Sequence, residues 1–172
     1  QAFAAVAEFK RREKEGEHNV WIVKPSNLTR SAGIVVTDNL GCMLKWMNTP
    51  GDIVSSIYLE KPALFKKHKF DIRYMILVDS IFPEVKVYMY DRFKVRLAPE
   101  EYELNQLDNF SKHFTVQQYH GGKTIITSIE EFHREWDKEH TSMPFSQMQS
   151  KINAAIKDMF VNVQDKLSDD NH

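Results

Sequence analysis

Two short segments each combine core-forming apolar residues with a lysine at one end, and both patterns are typical of β-strands. The segments are residues 20–24, which end at Lys24, and residues 69–73, which begin at Lys69. Successive side chains of a strand point to opposite faces, so the apolar residues would face a core. The charged residues would lie at the strand edges, where a polyphosphate could be held. These residues are Lys24, Lys69, Asp71 and Arg73.

The charge and cysteine content exclude several classes of protein. Lys and Arg number 23 against 24 Asp and Glu, so no net field would draw the 172-residue chain to nucleic acid or to a membrane surface. Cys42 is the only cysteine, which excludes an internal disulfide, and no apolar run approaches the roughly 18 residues of a membrane span. We expect one globular domain in the cytoplasm, without nucleic-acid or membrane partners.

The remaining patterns predict helices mixed with antiparallel strands. Helices are predicted at residues 2–14, after the cap at 37–39, after the capping box at 128–131 and from 144 onwards. Strands are predicted at residues 20–24, 34–36, 53–59, 70–78, 85–90 and 93–97. The connections between the middle strands are too short for helical crossovers, so the sheet is expected to be antiparallel. The fold class predicted is α+β.

Three segments in order resemble a known family. Residues 21–34 read W-I-V-K-P-S-N-L-T-R-S-A-G-I, residues 58–62 read Y-L-E-K-P and residues 69–73 read K-F-D-I-R. They are similar to W-I-x-K-P-x-x-x-x-R-G-x-G-I, Y-L-E-x-P and K-F-D-I-R of the tubulin tyrosine ligase-like family. Residues 87–97 and 108–115 resemble one ligase-like branch of that family more than the tyrosine ligase itself. The resemblance implies an ATP-grasp-like fold with a largely antiparallel sheet and flanking helices.

The resemblance also implies a domain organisation. Residues 1–172 would form a partial ligase domain, with a lead-in helix at 1–17, lid strands, loop and helix at 19–59, and the sheet and C-terminal helices at 60–172. In the family the domain continues to a late strand with acidic and amide metal ligands. No such segment follows residue 167, so we expect the domain to be incomplete at its C-terminal end.

The resemblance assigns residues to an ATP site. Lys24 and Lys69 would contact phosphate oxygens, although a lone lysine at a strand end is more often an ordinary surface residue. The loop between the first two strands would cover the phosphates, with Arg30 and Gly33 as contacts. The backbone at Tyr58 and Leu59 would read the adenine edge, while the alternative is a strand that packs its apolar residues inward.

The resemblance assigns a second group of residues to the ligase reaction. By resemblance Asp71 binds Mg²⁺, while Arg73 and Arg96 act as catalytic residues that neutralise charge on the transferred phosphoryl group and the acceptor. The alternative is a surface ladder of Asp and Arg, which is common and weakly stabilising. His113 and His120 are seven residues apart and fit no zinc spacing, so we expect structural histidines. ATP and Mg²⁺ are the implied cofactors.

The chain departs from the family pattern at three places. Ser31 and Ala32 replace a glycine and a second basic residue, Ser56 and Ile57 replace Gln-Lys, and Val116 replaces an asparagine. All three changes remove groups that would approach the nucleotide or the acceptor, so we expect weak or absent binding of ATP by this chain.

Three functional hypotheses follow from these observations. The first is part of an ATP-dependent ligase that joins a carboxylate to an amine on tubulin, with little or no turnover by this chain alone. The second is a non-catalytic module of the same fold that binds tubulin, microtubules or another protein. The third is a piece without independent function. The first two place the protein in the cytoplasm, at the cytoskeleton.

Overall fold

A computed structural model describes residues 2–28, 31–81, 84–117 and 123–169. The chain divides into two compact units. The first unit contains Gln1–Phe70 and Leu97–Ile125, and the second contains Asp71–Arg96 and Ile126–His172. The predicted α+β class, with antiparallel strands and flanking helices, is confirmed.

The first unit is arranged around one central strand. Its helices and strands are α1 (Ala2–Glu15), β1 (Trp21–Pro25), β2 (Val35–Thr37), α2 (Leu40–Met47), β3 (Ile53–Ile57), β4 (Leu64–Phe65) and α3 (Phe110–His113). β1 lies between β2 and β3 and is antiparallel to both, with Trp21 opposite Thr37 on one side and Ile57 on the other. α1 ends before Gly16, whose φ of 66° suits glycine.

Both faces of β1 are covered by apolar side chains. Trp21 and Val23 pack with Phe9 of α1 and Met43 of α2. Val20, just before the strand, packs with Val36 and Tyr58, and Ile22 contacts this second cluster. The alternation therefore sends neighbouring residues into two different cores. The sequence predicted that the side of Val20 and Ile22 is buried, but the opposite side is buried as well.

The helix caps match their sequence signals. Asn39 caps α2, since its side-chain oxygen accepts a hydrogen bond of 2.9 Å from the Cys42 backbone N–H. Ser128 caps the helix that follows it by accepting from the Glu131 backbone N–H at 3.1 Å. These two short polar signals located both helix starts correctly.

One predicted strand is divided in two. Instead of a single strand at 70–78, the chain forms β5 (His68–Arg73) and β6 (Ile76–Ser80). Tyr74 lies between them; its ring packs 5.0 Å from that of Phe93, and its hydroxyl donates to Gln149 at 2.6 Å. These contacts turn Tyr74 inward and interrupt the strand, an effect of tertiary packing that alternation does not reveal.

The later strands belong to two sheets. They are β7 (Lys86–Met89), β8 (Lys94–Leu97) and β9 (Ile125–Thr127). β6 pairs with β7 in a two-stranded antiparallel sheet, whereas a four-stranded sheet has the order β4-β5-β8-β9. β4, β9 and α3 are not predicted from the sequence, because elements of two to four residues are too short for a periodic pattern.

The second unit contains an aromatic core beneath two helices. They are α4 (Ile129–Glu139) and α5 (Phe145–Asp169). Phe132, Trp136 and Phe145 are buried, and Phe93 stacks on Phe145 at 5.6 Å. Trp136 donates its indole N–H to the Met143 carbonyl at 2.9 Å, which ties the turn between the helices to α4. Within the described parts of the chain, no helix is both long enough and apolar enough to cross a membrane.

In the loop after β1, a serine has the left-handed backbone conformation that glycine adopts most easily. Ser31 has a φ of 63°, and Gly33 has a φ of 67°. In the left-handed region a side chain adds about 1–2 kcal/mol of strain. The family pattern has glycine at position 31, and here the conformation is retained although the residue has changed.

We expect Ser31→Gly to increase the free energy of unfolding by about 0.5–1 kcal/mol, because relief of the left-handed strain outweighs the added freedom of the unfolded chain. Urea denaturation measures the change. Ser26→Gly is the matched control: this exposed loop residue is not left-handed, so its variant should be slightly less stable than the wild type. Equal effects of the two substitutions would contradict the explanation.

Candidate functional site

Lys69 lies in a pocket of aromatic side chains within the first unit. Its Nζ donates a hydrogen bond of 2.6 Å to the Tyr58 hydroxyl. The same nitrogen lies 4.3 Å from the centroid of the Tyr58 ring and 5.9 Å from that of Tyr102. Aromatic faces attract cations, so these two rings stabilise the ammonium. Lys69 is therefore a half-buried cation with neutral partners.

A chain of hydrogen bonds continues from Tyr58 into the interior. The Tyr58 hydroxyl lies 2.9 Å from His113 Nδ1, and His113 Nε2 lies 2.8 Å from the Gln106 carbonyl oxygen. A carbonyl only accepts, so Nε2 carries the proton; in the neutral ring Nδ1 is then the acceptor and the Tyr58 hydroxyl is the donor. Burial lowers the pKa of His113, and the charge of Lys69 acts in the same direction. The imidazole is therefore neutral near pH 7.

The positive charge of Lys24 acts on the ammonium of Lys69. Burial, together with the charge of Lys24, lowers the pKa of Lys69 to about 8. Lys24 is exposed at the end of β1, on the strand face that also carries Val20 and Ile22. Among the described residues, neither ammonium pairs with a carboxylate. Two cations that repel each other and lack a counter-charge favour binding of an anion.

The other residues of this unit that were predicted to contact the nucleotide are Gly33, Tyr58 and Leu59, and they differ in the space and solvent around them. Gly33 has little space around it: a Cβ built there would lie 3.1 Å from atoms of Leu28 and Pro25. Tyr58 is 4% exposed, whereas Leu59 is 66% exposed. Burial raises the pKa of the Tyr58 hydroxyl above its usual range. Arg30 lies outside the described residues.

The predicted catalytic and metal-binding residues belong to the second unit. Arg96 Nε on β8 donates to Asp71 Oδ1 on β5 at 2.8 Å. Arg73 is exposed at the end of β5. The described part of the chain contains no group of three or more His, Cys, Asp or Glu residues that could hold a metal ion. The roles assigned to Asp71, Arg73 and Arg96 stay predictions.

The comparison with known proteins decides the family. The sequence model described as the Tubulin-tyrosine ligase family matches residues 3–172. The chain belongs to this family. The membership confirms the resemblance that the three motifs indicated, and it extends that resemblance through α1.

Individual members of the tubulin-tyrosine ligase family are similar over most of the chain. Tubulin–tyrosine ligase-like protein 12 of Caenorhabditis briggsae is 38% identical over 159 residues, which is 88% of this chain and 23% of that protein. The protein of the same name from Homo sapiens is 36% identical over 162 residues, 90% of this chain and 25% of that protein. Tubulin glycylase 3C of Tetrahymena thermophila is 38% identical over 101 residues, 58% of this chain and 9% of that protein. The chain thus spans about a quarter of the first two relatives.

Two residues near Lys69 have no functional signal in the sequence. Tyr102 belongs to no motif, and His113 fits no metal spacing, which predicts a structural histidine. His113 is 55 positions from its partner Tyr58, so sequence spacing does not indicate their contact. In this member of the tubulin-tyrosine ligase family, only the position of Tyr58 in the second motif hinted at a polar contact.

We expect the stability of the chain to depend on pH through Lys69. The ordinary pKa of lysine is near 10.5, whereas folding lowers that of Lys69 to about 8. Between these values the unfolded chain binds more protons than the folded chain, so stability rises with pH; below pH 8 both forms are protonated and the effect is constant. The melting temperature of the wild type should therefore rise by a few degrees relative to Lys69→Met between pH 7.5 and 9.5. Parallel pH profiles for the two proteins would contradict this prediction.

Proposed function

We propose that this chain is part of an ATP-dependent ligase domain that modifies tubulin, and that its Lys24 and Lys69 hold the polyphosphate of ATP. The observation that supports the proposal is the effect of the Lys24 charge on Lys69 without a neutralising carboxylate among the described residues. Both lysines come from motifs that the resemblance assigns to phosphate binding. Two ammonium groups whose charges interact would provide point charges suited to phosphates.

The residues present fit ATP better than they fit a metal ion. ATP, when bound, supplies a phosphoryl group that activates a carboxylate for joining to an amine. The chain itself would bind the phosphates through Lys24 and Lys69 and orient the adenine against the backbone at Tyr58 and Leu59. Mg²⁺ needs oxygen ligands, and Asp71 is engaged by Arg96. We therefore assign no step to Mg²⁺.

Tubulin is the acceptor that the family suggests. The relatives carry the names of tubulin–tyrosine ligase-like proteins and of a tubulin glycylase. We infer that this chain also contacts tubulin, in the cytoplasm and at the cytoskeleton. Within the proposal, Arg73 and Arg96 have the roles that the resemblance implies, which are to neutralise charge on the transferred phosphoryl group and the acceptor.

We further propose that the chain alone binds ATP weakly and does not turn it over. Ser31, Ile57 and Val116 occupy positions where the family pattern has glycine, lysine and asparagine. Ile57 is 38% exposed and presents an apolar surface where a polar group would approach the nucleotide. These differences remove contacts without removing the two lysines, so binding should persist at reduced affinity.

The proposal is tested by ATP binding to lysine variants. Calorimetric titration should detect ATP binding at millimolar concentration, and ATP at ten times its dissociation constant should raise the free energy of unfolding by about 1.4 kcal/mol. Lys24→Met and Lys69→Met should each weaken binding about tenfold, because each removes one phosphate contact.

Lys45→Met is the matched control. Lys45 is an exposed lysine on α2 in the same unit and is given no role in binding. Its variant should bind ATP like the wild type. No binding to the wild type, or an equal loss in the control, would refute the proposed phosphate site.

A second function is favoured by the ion pair of Asp71 and Arg96. Asp71 and Arg96 are hydrogen-bonded to each other, as in an Asp-Arg ladder that has only a structural role. In that case the chain would be a non-catalytic module that binds tubulin. We then expect it to co-sediment with microtubules equally with and without ATP, and with Asp71→Asn as with the wild type. Co-sedimentation that requires ATP would favour the ligase-type domain.

A further inference from the structure

We propose that one side of the β6-β7 hairpin is a docking surface for a second copy of this chain, and that the two copies form a two-fold symmetric dimer. The surface lies within the second unit, and we call it the hairpin face. It consists of Met75, Leu77, Asp79, Lys86, Tyr88 and Tyr90. None of these residues is assigned to ATP or to the ligase reaction, so the proposal does not rest on the proposed function.

The pairing of the two strands places four apolar or aromatic side chains on the same side of the sheet. Leu77 lies opposite Tyr88, and a hydrogen bond of 2.9 Å from the Tyr90 backbone N–H to the Met75 carbonyl continues the pairing past the strand ends. Residues two apart in a strand share a side, so both cross-strand pairs point the same way. The opposite side of the sheet is directed at α5, with which Val87 lines a common cavity.

These four side chains are open to solvent. The exposed fraction is 60% for Met75, 63% for Leu77 and 58% for each of Tyr88 and Tyr90. Single apolar residues are ordinary on a protein surface, but two adjoining cross-strand pairs form a contiguous patch, which is typical of an interaction site. Tyrosine and methionine are also enriched in protein–protein interfaces. The composition of the patch therefore fits a protein partner.

The end of the hairpin next to its turn adds one acid and one base to the patch. The register shifts between Val78 and Ser80, so that Ser80 pairs with Lys86 and Asp79 is the extra residue of a bulge beside this pair. Asp79 and Lys86 are both exposed, and within the described ranges neither forms an ion pair. A partner that covers the apolar residues must therefore present two charges of opposite sign at this end.

A second copy of the chain presents this pattern when the two-fold axis runs parallel to the strands. That axis lays β6 over β7 of the second copy with both turns at the same end, so each residue meets its own cross-strand neighbour from the other copy. Leu77 then contacts Tyr88 of the second copy, and Asp79 contacts Lys86 of the second copy. An axis perpendicular to the strands would instead place Asp79 over Met75 of the second copy, which removes a charge from water without compensation. Charge complementarity thus selects one arrangement.

Two charge reversals test this arrangement, because each repels itself and attracts the other. In the Asp79→Lys chain both charges of the hairpin face are positive, and in the Lys86→Asp chain both are negative. Each chain alone should lose self-association, whereas an equimolar mixture should form a heterodimer. Repulsion within one hairpin persists in the mixture, so recovered association cannot come from a repaired hairpin. A small interface is weak, so sedimentation velocity of the full chain is measured at about 10–500 μM.

We expect the wild type to change from monomer to dimer over this concentration range. Each single reversal should raise the dissociation constant at least about tenfold, because like charges then face each other twice in the dimer. The mixture should associate within about threefold of the wild type. Lys151→Asp is the matched control, since Lys151 is an exposed lysine on α5 of the same unit and lies outside the hairpin face. Its variant should associate like the wild type.

The apolar part of the hairpin face is tested by Leu77→Ser, which should weaken association about tenfold through lost apolar contact. Met159→Ser is its control: Met159 is 52% exposed on α5, and its variant should dimerise normally. Equal effects of these two substitutions would contradict the proposal.

Three further results would overturn the proposal. The first is a wild type that stays monomeric at every concentration, and the second is a mixture of the reversed chains that associates no better than either chain alone. The third is growth beyond a dimer, since the open edges of β6 and β7 would then pair instead of the hairpin face. If the wild type is monomeric and Leu77→Ser loses co-sedimentation with microtubules, the hairpin face belongs to tubulin and not to a second copy.

Discussion

The candidate site depends on one costly condition, which is an ammonium held partly out of water with no carboxylate beside it in the part of the chain that the structure describes. Removing a charge from water is unfavourable unless other groups replace its hydration. Here the replacement consists of the Tyr58 hydroxyl and two aromatic faces, and the Tyr58 hydroxyl depends in turn on His113. This explains why a buried neutral histidine, a buried tyrosine and a cation occur together. A carboxylate at the same place would neutralise Lys69 and remove the site's attraction for anions.

The first unit supports this arrangement through β1. Its alternating residues enter two cores, one with α1 and α2 and the other with Tyr58. The strand is therefore held on both faces, and Lys24 at its end is carried by a rigid element. Asn19 adds a further link, because it donates to the Phe9 carbonyl and accepts from the Trp21 indole. The position of Lys24 is thus fixed by packing contacts that begin in α1.

Local patterns in the sequence predicted much of this fold. The apolar run that ends at Lys24 located β1. Asn39 and Ser128 located the starts of α2 and α4, and the order of the motifs indicated the family. The interruption at Tyr74 and the contact of Tyr58 with His113 depend on residues far apart in the chain. Such contacts have no local signal. The sequence therefore indicates Lys24 and Lys69 as candidate site residues, but it does not indicate the residues that contact Lys69.

The depressed pKa of Lys69 has a thermodynamic consequence for any anion that binds beside it. Burial and the charge of Lys24 favour the free amine, whereas a bound phosphate would favour the ammonium. Association would then consume hydrogen ions from solution. The observed heat of association would include the ionisation enthalpy of the buffer, and would differ between Tris and phosphate-free buffers of low ionisation enthalpy.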